Sequence, residues 1–305
     1  MYYFIVNPAS SCGKGMRLWE KAEAILEKKE IEYESFILNG PGEAAGLARF
    51  LSLNKTPCTI VIVGGDGTIN EFLGGLTTCE GITFGYLPTG SGNDFARGMH
   101  IPSNVEDVME MILSPEKFRN INIGIAVSGD QKKAFAVSSG IGYDAAVCYA
   151  SYCSPLKKML NKIHAGKLIY LINALRLLIS LKPFSVRLLM DDSQLLTFQR
   201  VYFTAAMNTK YEGGGFMFCP KASPVDNYLD IILVEGLPKW KVLALLPTAF
   251  LGKHVNFNGI HIYRCKRAVI QSETETCVHV DGEHLGYCKK VSFSLMKEKL
   301  RMIVG

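Results

Sequence analysis

A glycine-rich loop with one carboxylate lies between a predicted buried strand and a predicted helix. Its sequence, Gly-Gly-Asp-Gly-Thr-Ile-Asn-Glu, covers residues 64–71 and follows the apolar run Thr59–Val63. Glycines let the backbone approach a bulky polyanion, and the free N–H groups that begin a helix favour phosphate. Asp66 would repel that phosphate unless a Mg²⁺ lies between them. Taken alone, the loop is equally typical of a tight turn whose aspartate caps the helix.

Two further loops of small and polar residues also follow predicted strands. One reads Pro-Thr-Gly-Ser-Gly-Asn-Asp at 88–94, and the other reads Asn-Pro-Ala-Ser-Ser-Cys-Gly-Lys-Gly at 7–15. Because parallel strands end at one edge of their sheet, the three loops are expected where open α/β folds bind ligands. The sequence has neither a Walker A motif nor a G-x-G-x-x-G fingerprint at these loops. It therefore predicts a phosphate site outside the two commonest phosphate-binding folds.

Two carboxylates, Asp281 and Glu283, flank a glycine at the end of an apolar strand. One could bind a metal while the other takes the proton of a substrate hydroxyl during phosphoryl transfer. A type I′ hairpin turn on Asp-Gly explains the same residues without chemistry, and spacing alone favours the turn. Asp226, within Ser-Pro-Val-Asp-Asn-Tyr at 223–228, could bind Mg²⁺ together with backbone carbonyls. A solvated turn is the alternative there.

The positive charge of the chain is concentrated in one segment. The net charge is +5, from 33 basic and 28 acidic side chains, and no acidic residue lies between Asp144 and Asp191. Seven basic residues lie in that segment: Lys157, Lys158, Lys162, Lys167, Arg176, Lys182 and Arg187. With the apolar residues among them they predict an interfacial helix on anionic lipid, although the solvated face of a core-packed helix has the same pattern. The small net charge does not indicate a nucleic-acid partner.

The elements that must position these residues divide the chain of 305 residues into two parts. Up to about residue 125, strands alternate with amphipathic helices, which indicates a parallel sheet in an α/β domain. The predicted strands there are 2–6, 33–38, 59–63 and 83–87, and helices are predicted near 16–29 and 43–53. Later the pattern changes to short strands: a hairpin over 184–207, then 229–234, 261–270, 276–280 and 291–295. One helix is predicted in this mainly β part, near 156–181.

Composition excludes several classes of protein. Hydrophobic residues make up 48% and charged residues 20%, which is not the composition of a disordered chain. Nine cysteines without a C-x-x-C pair indicate neither a disulfide framework nor a zinc site, and favour a reducing cytoplasm. The N-terminus lacks the basic region of a signal peptide. The most apolar run, 168–181, is shorter than the roughly 20 residues that span a bilayer.

Together the motifs resemble the diacylglycerol kinase catalytic family, specifically the soluble bacterial lipid kinases related to sphingosine kinases. The segments that carry this resemblance span the whole chain. They are N-P-A-S (7–10), G-G-D-G-T-I-N-E (64–71), P-T-G-S-G-N-D-F-A-R (88–97), G-K-L-I-Y-L (166–171), G-G-G-F (213–216), D-N-Y-L-D (226–230) and V-D-G-E (280–283). G-G-D-G alone is shared with NAD kinases and phosphofructokinases, so the order of the motifs carries the specificity.

The resemblance implies an N-terminal α/β domain over 1–123 that binds ATP, and a mainly β, sandwich-like C-terminal domain over 124–305. It implies an active site in the cleft between them, and last residues that return to the first domain. Asp66 and Asp94 would organise Mg²⁺ and ATP, Glu283 would be the base, and Asp281 would lie beside it at the metal. A structural Mg²⁺ would bind the Asp226 carboxylate and the carbonyls of Ser223 and Tyr228. The implied nucleotide-binding residues are Asn7, Pro8, Ala9, Ser10, Ser11, Gly64, Gly65, Asp66, Gly67, Thr68, Asn70, Glu71, Gly90, Ser91, Asn93 and Asp94.

The resemblance also implies the activity: a cytoplasmic kinase that transfers phosphate from ATP to a lipid hydroxyl, with diacylglycerol the leading acceptor. Monoacylglycerol, a sphingoid base and a polyprenol remain open as acceptors. Transient binding to anionic membranes and a homodimer are compatible with it. The rival hypotheses are an NAD kinase-like phosphotransferase on a soluble acceptor and a non-catalytic nucleotide- or lipid-binding regulator.

Three positions depart from the family pattern. Ser11 stands where the family usually has glycine, and Leu38 stands where many members have a threonine that contacts the nucleotide. Asn227 replaces the glycine of the metal loop, a tolerable exchange because asparagine also accepts left-handed backbone geometry.

Overall fold

The computed structural model describes residues 1–53, 56–153 and 166–305. These residues form two compact units. Met1–Ile123 and Lys297–Gly305 make up the first, and Gly124–Met296 makes up the second. The predicted helix near 156–181 lies partly outside the described residues.

The first unit is an α/β domain, as predicted. Its strands are β1 (Tyr2–Val6), β2 (Tyr33–Ile37), β3 (Cys58–Gly64), β4 (Ile82–Pro88), β5 (Lys117–Ile121) and the C-terminal β15 (Leu300–Val304). Its helices are α1 (Lys14–Lys28), α2 (Glu43–Leu53), α3 (Asp66–Gly75), α4 (Asp94–Met99) and α5 (Val105–Leu113). Among the described residues, six strands form one sheet in the order β2-β1-β3-β4-β15-β5. The first four are parallel, so the loops after β1, β3 and β4 leave the same edge.

Apolar burial explains this order of strands. The central strand β3 is almost entirely buried, as expected for a strand covered by helices on both sheet faces. On one face Phe4 packs on the buried indole of Trp19 from α1, with ring centroids 5.1 Å apart. On the same face the core includes Ile112 of α5. The helices therefore fix the positions of the strands, and with them the positions of the loops at the strand ends.

The last strand of the chain lies in the first unit. β15 pairs parallel to β4 and antiparallel to β5. Leu300 and Met302 are fully buried, and Ile303 joins the core that contains Phe4 and Val63. The sheet of the first unit is thus completed by residues almost 180 positions beyond Ile123 along the chain.

The second unit is built mainly of strands. They are β6 (Gly124–Ser128), β7 (Gln131–Phe135), β8 (Ser138–Gly142), β9 (Phe184–Met190), β10 (Gln194–Met207), β11 (Leu229–Glu235), β12 (Ile260–Cys265), β13 (Arg267–Val280) and β14 (Glu283–Leu295). Its described helices are α6 (Tyr143–Cys153), α7 (Gly166–Ser180) and α8 (Lys239–Ala249), with a 3₁₀ turn at Lys253–Asn256. Eight of these strands follow the order β12-β11-β10-β8-β13-β14-β6-β7, and β9 pairs with β10 and β13.

Several features of the second unit differ from the sequence-based expectation. The strands β6, β7 and β8 were not predicted, and the strand predicted over 276–280 is the end of β13. The strand predicted over 261–270 is two strands, β12 and β13. β12 pairs with β11 and β13 pairs with β9, and the Asp191 carboxylate accepts the N–H groups of Lys266 and Arg267 at the point where the pairing partner changes. The helices α6 and α8 were not predicted. α8 has no acidic residue in its first turn and contains Pro247, so the usual helix signals are missing.

Ile303→Ala tests whether the C-terminal strand stabilises the first unit. Ile303 is 1% exposed, so removal of its side chain leaves a cavity and should lower the free energy of unfolding by about 2–5 kcal/mol. Denaturant titration of the first unit's transition measures this, with exposed Lys297→Ala as control. An equal, small effect of both substitutions would contradict the assignment of β15 to this core.

Candidate active site

Hydrogen bonds join the three glycine-rich loops at the carboxyl edge of the first sheet. The Asn7 side chain donates to Thr68 Oγ1 over 3.0 Å, which links the first loop to the start of α3. The Ser10 and Thr89 hydroxyls are 2.5 Å apart and link the first loop to the loop after β4. The backbone N–H of Thr89 donates to the Gly64 carbonyl over 2.7 Å. The loops predicted to meet are therefore in direct contact.

Two glycines touch where the second and third loops cross. A Cβ added at Gly90 would lie 2.8 Å from the Cα of Gly65, and one added at Gly65 would lie 3.1 Å from the Cα of Gly90. A Cβ at 2.8 Å would displace the backbone, whereas one at 3.1 Å would need the neighbouring backbone to shift by a few tenths of an ångström. Gly90 therefore requires glycine for packing, besides any requirement set by a ligand, and Gly65 is crowded.

Asp66 fastens these two loops together. Its carboxylate accepts the backbone N–H groups of Asp94 and Phe95, over 3.0 and 3.2 Å, at the start of α4. The Asp94 carboxylate in turn pairs with Arg97 at 2.5 Å. Burial, and then the charges of Asp66 and Asp94, raise the pKa of the Tyr86 hydroxyl well above its usual range. Two adjacent carboxylates with hard oxygen atoms thus lie at the predicted phosphate loops, which suits a divalent cation between them and a polyanion.

The first loop has left-handed backbone at three consecutive residues. Ser11, Cys12 and Gly13 have φ angles of 45°, 57° and 88°. This explains why glycine is usual at the position of Ser11, since other residues pay about 1–2 kcal/mol for that geometry. Two residues later, Gly15 is confined, because an added Cβ would lie 2.1 Å from the Asn7 carbonyl oxygen. The loop is held in one shape against its local preference.

The other predicted nucleotide-binding residues complete the same three loops. Ala9 donates its N–H to the Asn7 side chain, and Asn93 begins α4 with left-handed backbone. Asn70 is buried on α3, and the Glu71 carboxylate accepts the N–H of Gly42. The rest of the predicted set lies in the same loops, in the case of Pro8 and Ser91, or in the first turn of α3, in the case of Gly67.

In the second unit, Asp281 and Gly282 form a hairpin turn between β13 and β14. Their φ angles are 48° and 83°, and Val280 pairs with Glu283 across the turn, as a type I′ turn requires. The Asp281 carboxylate accepts three backbone N–H groups, from Ala136, Val137 and Ser138, over 2.8, 2.8 and 3.0 Å. Asp281 thus ties the turn to the start of β8. Glu283 is partly exposed as the first residue of β14.

A buried cluster behind this turn was not identified from the sequence. His279 Nε2 lies 3.2 Å from Asp144 Oδ2 and 3.4 Å from Glu212 Oε1, and all three side chains are buried. The ring's other nitrogen, Nδ1, accepts the backbone N–H of Gly282 over 3.1 Å. Gly140 leaves the space, because a Cβ there would lie 2.1 Å from Asp144 Oδ2. The sequence did contain one signal for this residue. His279 lies two positions before Asp281, and residues two apart in a strand lie on the same face.

Burial and the neighbouring carboxylates act in opposite directions on the His279 ring. Burial lowers the pKa of His279, whereas the charges of Glu212 and Asp144 raise it. Because Nδ1 accepts the Gly282 N–H, the ring carries its single proton on Nε2, which faces the two carboxylates.

An arginine of β12 lies beside the Asp226 loop and pairs with its carboxylate. Asp226 Oδ1 accepts the Tyr228 N–H over 3.0 Å, and Asn227 is left-handed with φ 68°, as an Asx turn allows. Arg264 Nη2 lies 3.3 Å from Asp226 Oδ2 and 3.2 Å from the buried Asp230 carboxylate. The same guanidinium donates to the carbonyl of Lys221. The predicted Mg²⁺ site at Asp226, Ser223 and Tyr228 lies beside this guanidinium, which balances the charge of Asp226, and the metal there stays a prediction.

Apolar side chains are exposed beside basic ones on two helices of the second unit. Ile172, Leu175 and Ile179 share one face of α7, and Ile179 is 77% exposed. On α8, Trp240 is 70% exposed, and Lys239 donates to the Ile179 carbonyl over 2.6 Å. No described helix is long and apolar enough to cross a membrane.

Two family models match the chain. The diacylglycerol kinase catalytic domain matches residues 1–125, and the YegS C-terminal NAD kinase beta sandwich-like domain matches residues 116–304.

Similar proteins carry related names. A Bacillus subtilis protein named "Putative lipid kinase YtlR" is 30% identical over 93% of this chain and 94% of its own. A Mycobacterium tuberculosis protein named diacylglycerol kinase is 26% identical over 92% of this chain and 87% of its own.

Solved structures show the same fold. A diacylglycerol kinase structure from Bacillus anthracis is 21% identical with a TM-score of 0.72, covering 100% of this chain and 96% of that one. An NAD kinase from Archaeoglobus fulgidus in complex with ATP gives a TM-score of 0.50 at 15% identity, covering 99% of this chain and 93% of that one. With both domains matched along nearly their full length, this chain belongs to the diacylglycerol kinase catalytic family of lipid kinases.

Proposed function

We propose that this protein is an ATP- and Mg²⁺-dependent lipid kinase that phosphorylates diacylglycerol to phosphatidic acid. The observation that carries the proposal is the contact of three glycine-rich loops at one sheet edge, fastened by Asp66 to the start of α4. Membership of a lipid kinase family and the name diacylglycerol kinase among the relatives support the acceptor.

In the proposed reaction, the loops of the first unit bind the triphosphate of ATP. Backbone N–H groups of the first loop and the start of α3 would face the phosphates, because left-handed turns and helix starts leave such donors free. Mg²⁺, held near Asp66 and Asp94, would neutralise the phosphate charge when bound. Asp66 keeps the loops at a fixed spacing through its hydrogen bonds to Asp94 and Phe95.

Glu283 is the proposed general base. It would accept the proton of the lipid hydroxyl as the hydroxyl oxygen bonds to the γ-phosphorus and the bond to the bridging oxygen breaks, which releases ADP. A partly exposed carboxylate on a fixed turn suits that role, since the lipid hydroxyl must reach it. Asp281 supports it by holding the turn to the three N–H groups at the start of β8.

A panel of acceptors tests the reaction. We expect the purified protein, with Mg²⁺ and γ-labelled ATP in mixed micelles, to label diacylglycerol, and Asp66→Ala to abolish the label because it releases the loop after β4. Monoacylglycerol, a sphingoid base, a polyprenol and NAD⁺ complete the panel. Label on NAD⁺ alone would replace the proposal with a soluble-acceptor kinase, and ATP binding without label on any acceptor would favour a binding regulator.

Glu283→Ala tests the base. Turnover should fall by about 10²–10⁴-fold while the affinity for ATP stays close to that of the unsubstituted protein, because the carboxylate is assigned to the acceptor. Initial rates at saturating lipid, together with equilibrium ATP binding, separate these effects. Full turnover in this variant would rule out Glu283 as the base, whichever lipid is the acceptor.

We also propose that the protein binds anionic membranes peripherally through a basic-apolar surface, defined by Ile172, Leu175 and Ile179 of α7 and Trp240 and Lys241 of α8. An exposed tryptophan beside lysines suits the boundary between headgroups and acyl chains. No acidic residue lies on either helix, so anionic headgroups would meet only positive charge there.

Sedimentation with vesicles measures this surface. Trp240→Ala should weaken binding to phosphatidylglycerol-rich vesicles by about tenfold, since burying an aromatic side chain stabilises by roughly 1.5–3 kcal/mol. Phe50→Ala, which removes a 60%-exposed aromatic from the first unit, serves as the matched control. Binding that is indifferent to anionic lipid, or equal loss in both variants, would contradict the proposed surface.

A further inference from the structure

The cluster of His279, Asp144 and Glu212 could be taken for a metal site, because its three ligand atoms lie within 4.8 Å of one another. The hydrogen bond from Gly282 argues against that interpretation. A histidine that ligates through Nε2 carries its proton on Nδ1, whereas here Nδ1 accepts an N–H over 3.1 Å. The proton therefore lies on Nε2, between the ring and the two carboxylates, where a metal would have to bind.

The same hydrogen bond gives the cluster another role. Gly282 is the central residue of the turn that begins β14 with Glu283, and its N–H points to a ring that is completely buried. We infer that His279 is a positioning residue for catalysis: its Nδ1 holds the Gly282 N–H and so fixes the turn that presents Glu283, while Asp144 and Glu212 fix the ring. This inference rests on the proposed role of Glu283 as the base.

The turn is thereby held from two sides. Asp281 takes the three N–H groups at the start of β8, and His279 takes the N–H of the next residue. The ring itself cannot rotate freely, because His279 pairs with Gly140 across the strands and its Nε2 faces both carboxylates. A left-handed pair such as Asp281 and Gly282 is locally unfavourable at the aspartate, so these bonds select the geometry.

Two substitutions of His279 separate the two sides of the ring. Asparagine places its amide group near the position of Nδ1, so His279→Asn keeps an acceptor for the Gly282 N–H. Glutamine reaches the position of Nε2, so His279→Gln keeps a donor to the carboxylates and loses that acceptor. We expect kcat of the glutamine variant to be at least about tenfold lower than that of the asparagine variant, with similar KM for ATP.

Hydrogen exchange provides a readout that does not depend on activity. The Gly282 amide should exchange several-fold faster in His279→Gln than in His279→Asn, because only the former loses its acceptor. His261→Gln is the matched control: His261 pairs with Glu235 at 3.1 Å in the same unit, and its substitution should leave both kcat and Gly282 exchange unchanged. Equal kcat in the two His279 variants, or equal Gly282 exchange, would overturn the inference.

Asp144→Asn keeps the test decisive if either His279 variant fails to fold. This change conserves volume, but its amide can donate to Nε2 and shift the ring proton to Nδ1, against the Gly282 N–H. Faster Gly282 exchange and a lower kcat are expected, and no change in either would overturn the inference. The two proposals fail differently: if Glu283→Ala retains full turnover the base is wrong, whereas the exchange of Gly282 reports on His279 alone.

Discussion

The functional loops of both units depend on one kind of interaction, an aspartate carboxylate that accepts backbone N–H groups from a distant segment. Asp66 accepts two such groups at the start of α4, and Asp281 accepts three at the start of β8. Charge-assisted hydrogen bonds of this kind are about twice as strong as neutral ones, and they fix direction as well as distance. Loops that would otherwise vary in shape are thereby fixed to the sheets that carry them.

This interaction also resolves the presence of carboxylates where phosphate is expected. A free carboxylate would repel a triphosphate, but one that already accepts N–H groups has part of its charge compensated within the protein. Its remaining lone pairs stay available to a divalent cation. Asp66 can therefore hold the loop after β4 and face a metal at once, and the short pair of Asp94 with Arg97 serves the same balance of charge. If Asp66 also faces a metal as proposed, a substitution there changes both the loop contacts and the metal site.

The sequence predicted the alternation of strands and helices and the three loops at one edge, because those follow from local periodicity. It predicted the Asp281–Gly282 turn for the same reason, since Asp-Gly between apolar strands favours one turn type. The sequence could not predict which distant residues these groups contact. The N–H groups that Asp281 accepts belong to residues up to 145 positions away, and the contact of Gly65 with Gly90 depends on the crossing of two loops. Arg264 beside Asp226 likewise appears only when β11 pairs with β12.

The backbone geometry of Ser11 bears on the proposed role of the first loop in binding a ligand. Its φ of 45° lies in the region that favours glycine, its hydroxyl has no hydrogen-bond partner among the described residues, and Cys12 next to it is left-handed too. Backbone hydrogen bonds hold the loop in this geometry, from Lys14 N–H to the Ser11 carbonyl over 3.4 Å and from Gly15 N–H to the Ser10 carbonyl over 3.2 Å. Backbone strain of about 1–3 kcal/mol persists where the surroundings over-determine it, and such sites cluster where ligands are held. Turns that contain left-handed residues can direct successive N–H groups to one point, which suits the anion proposed to bind there.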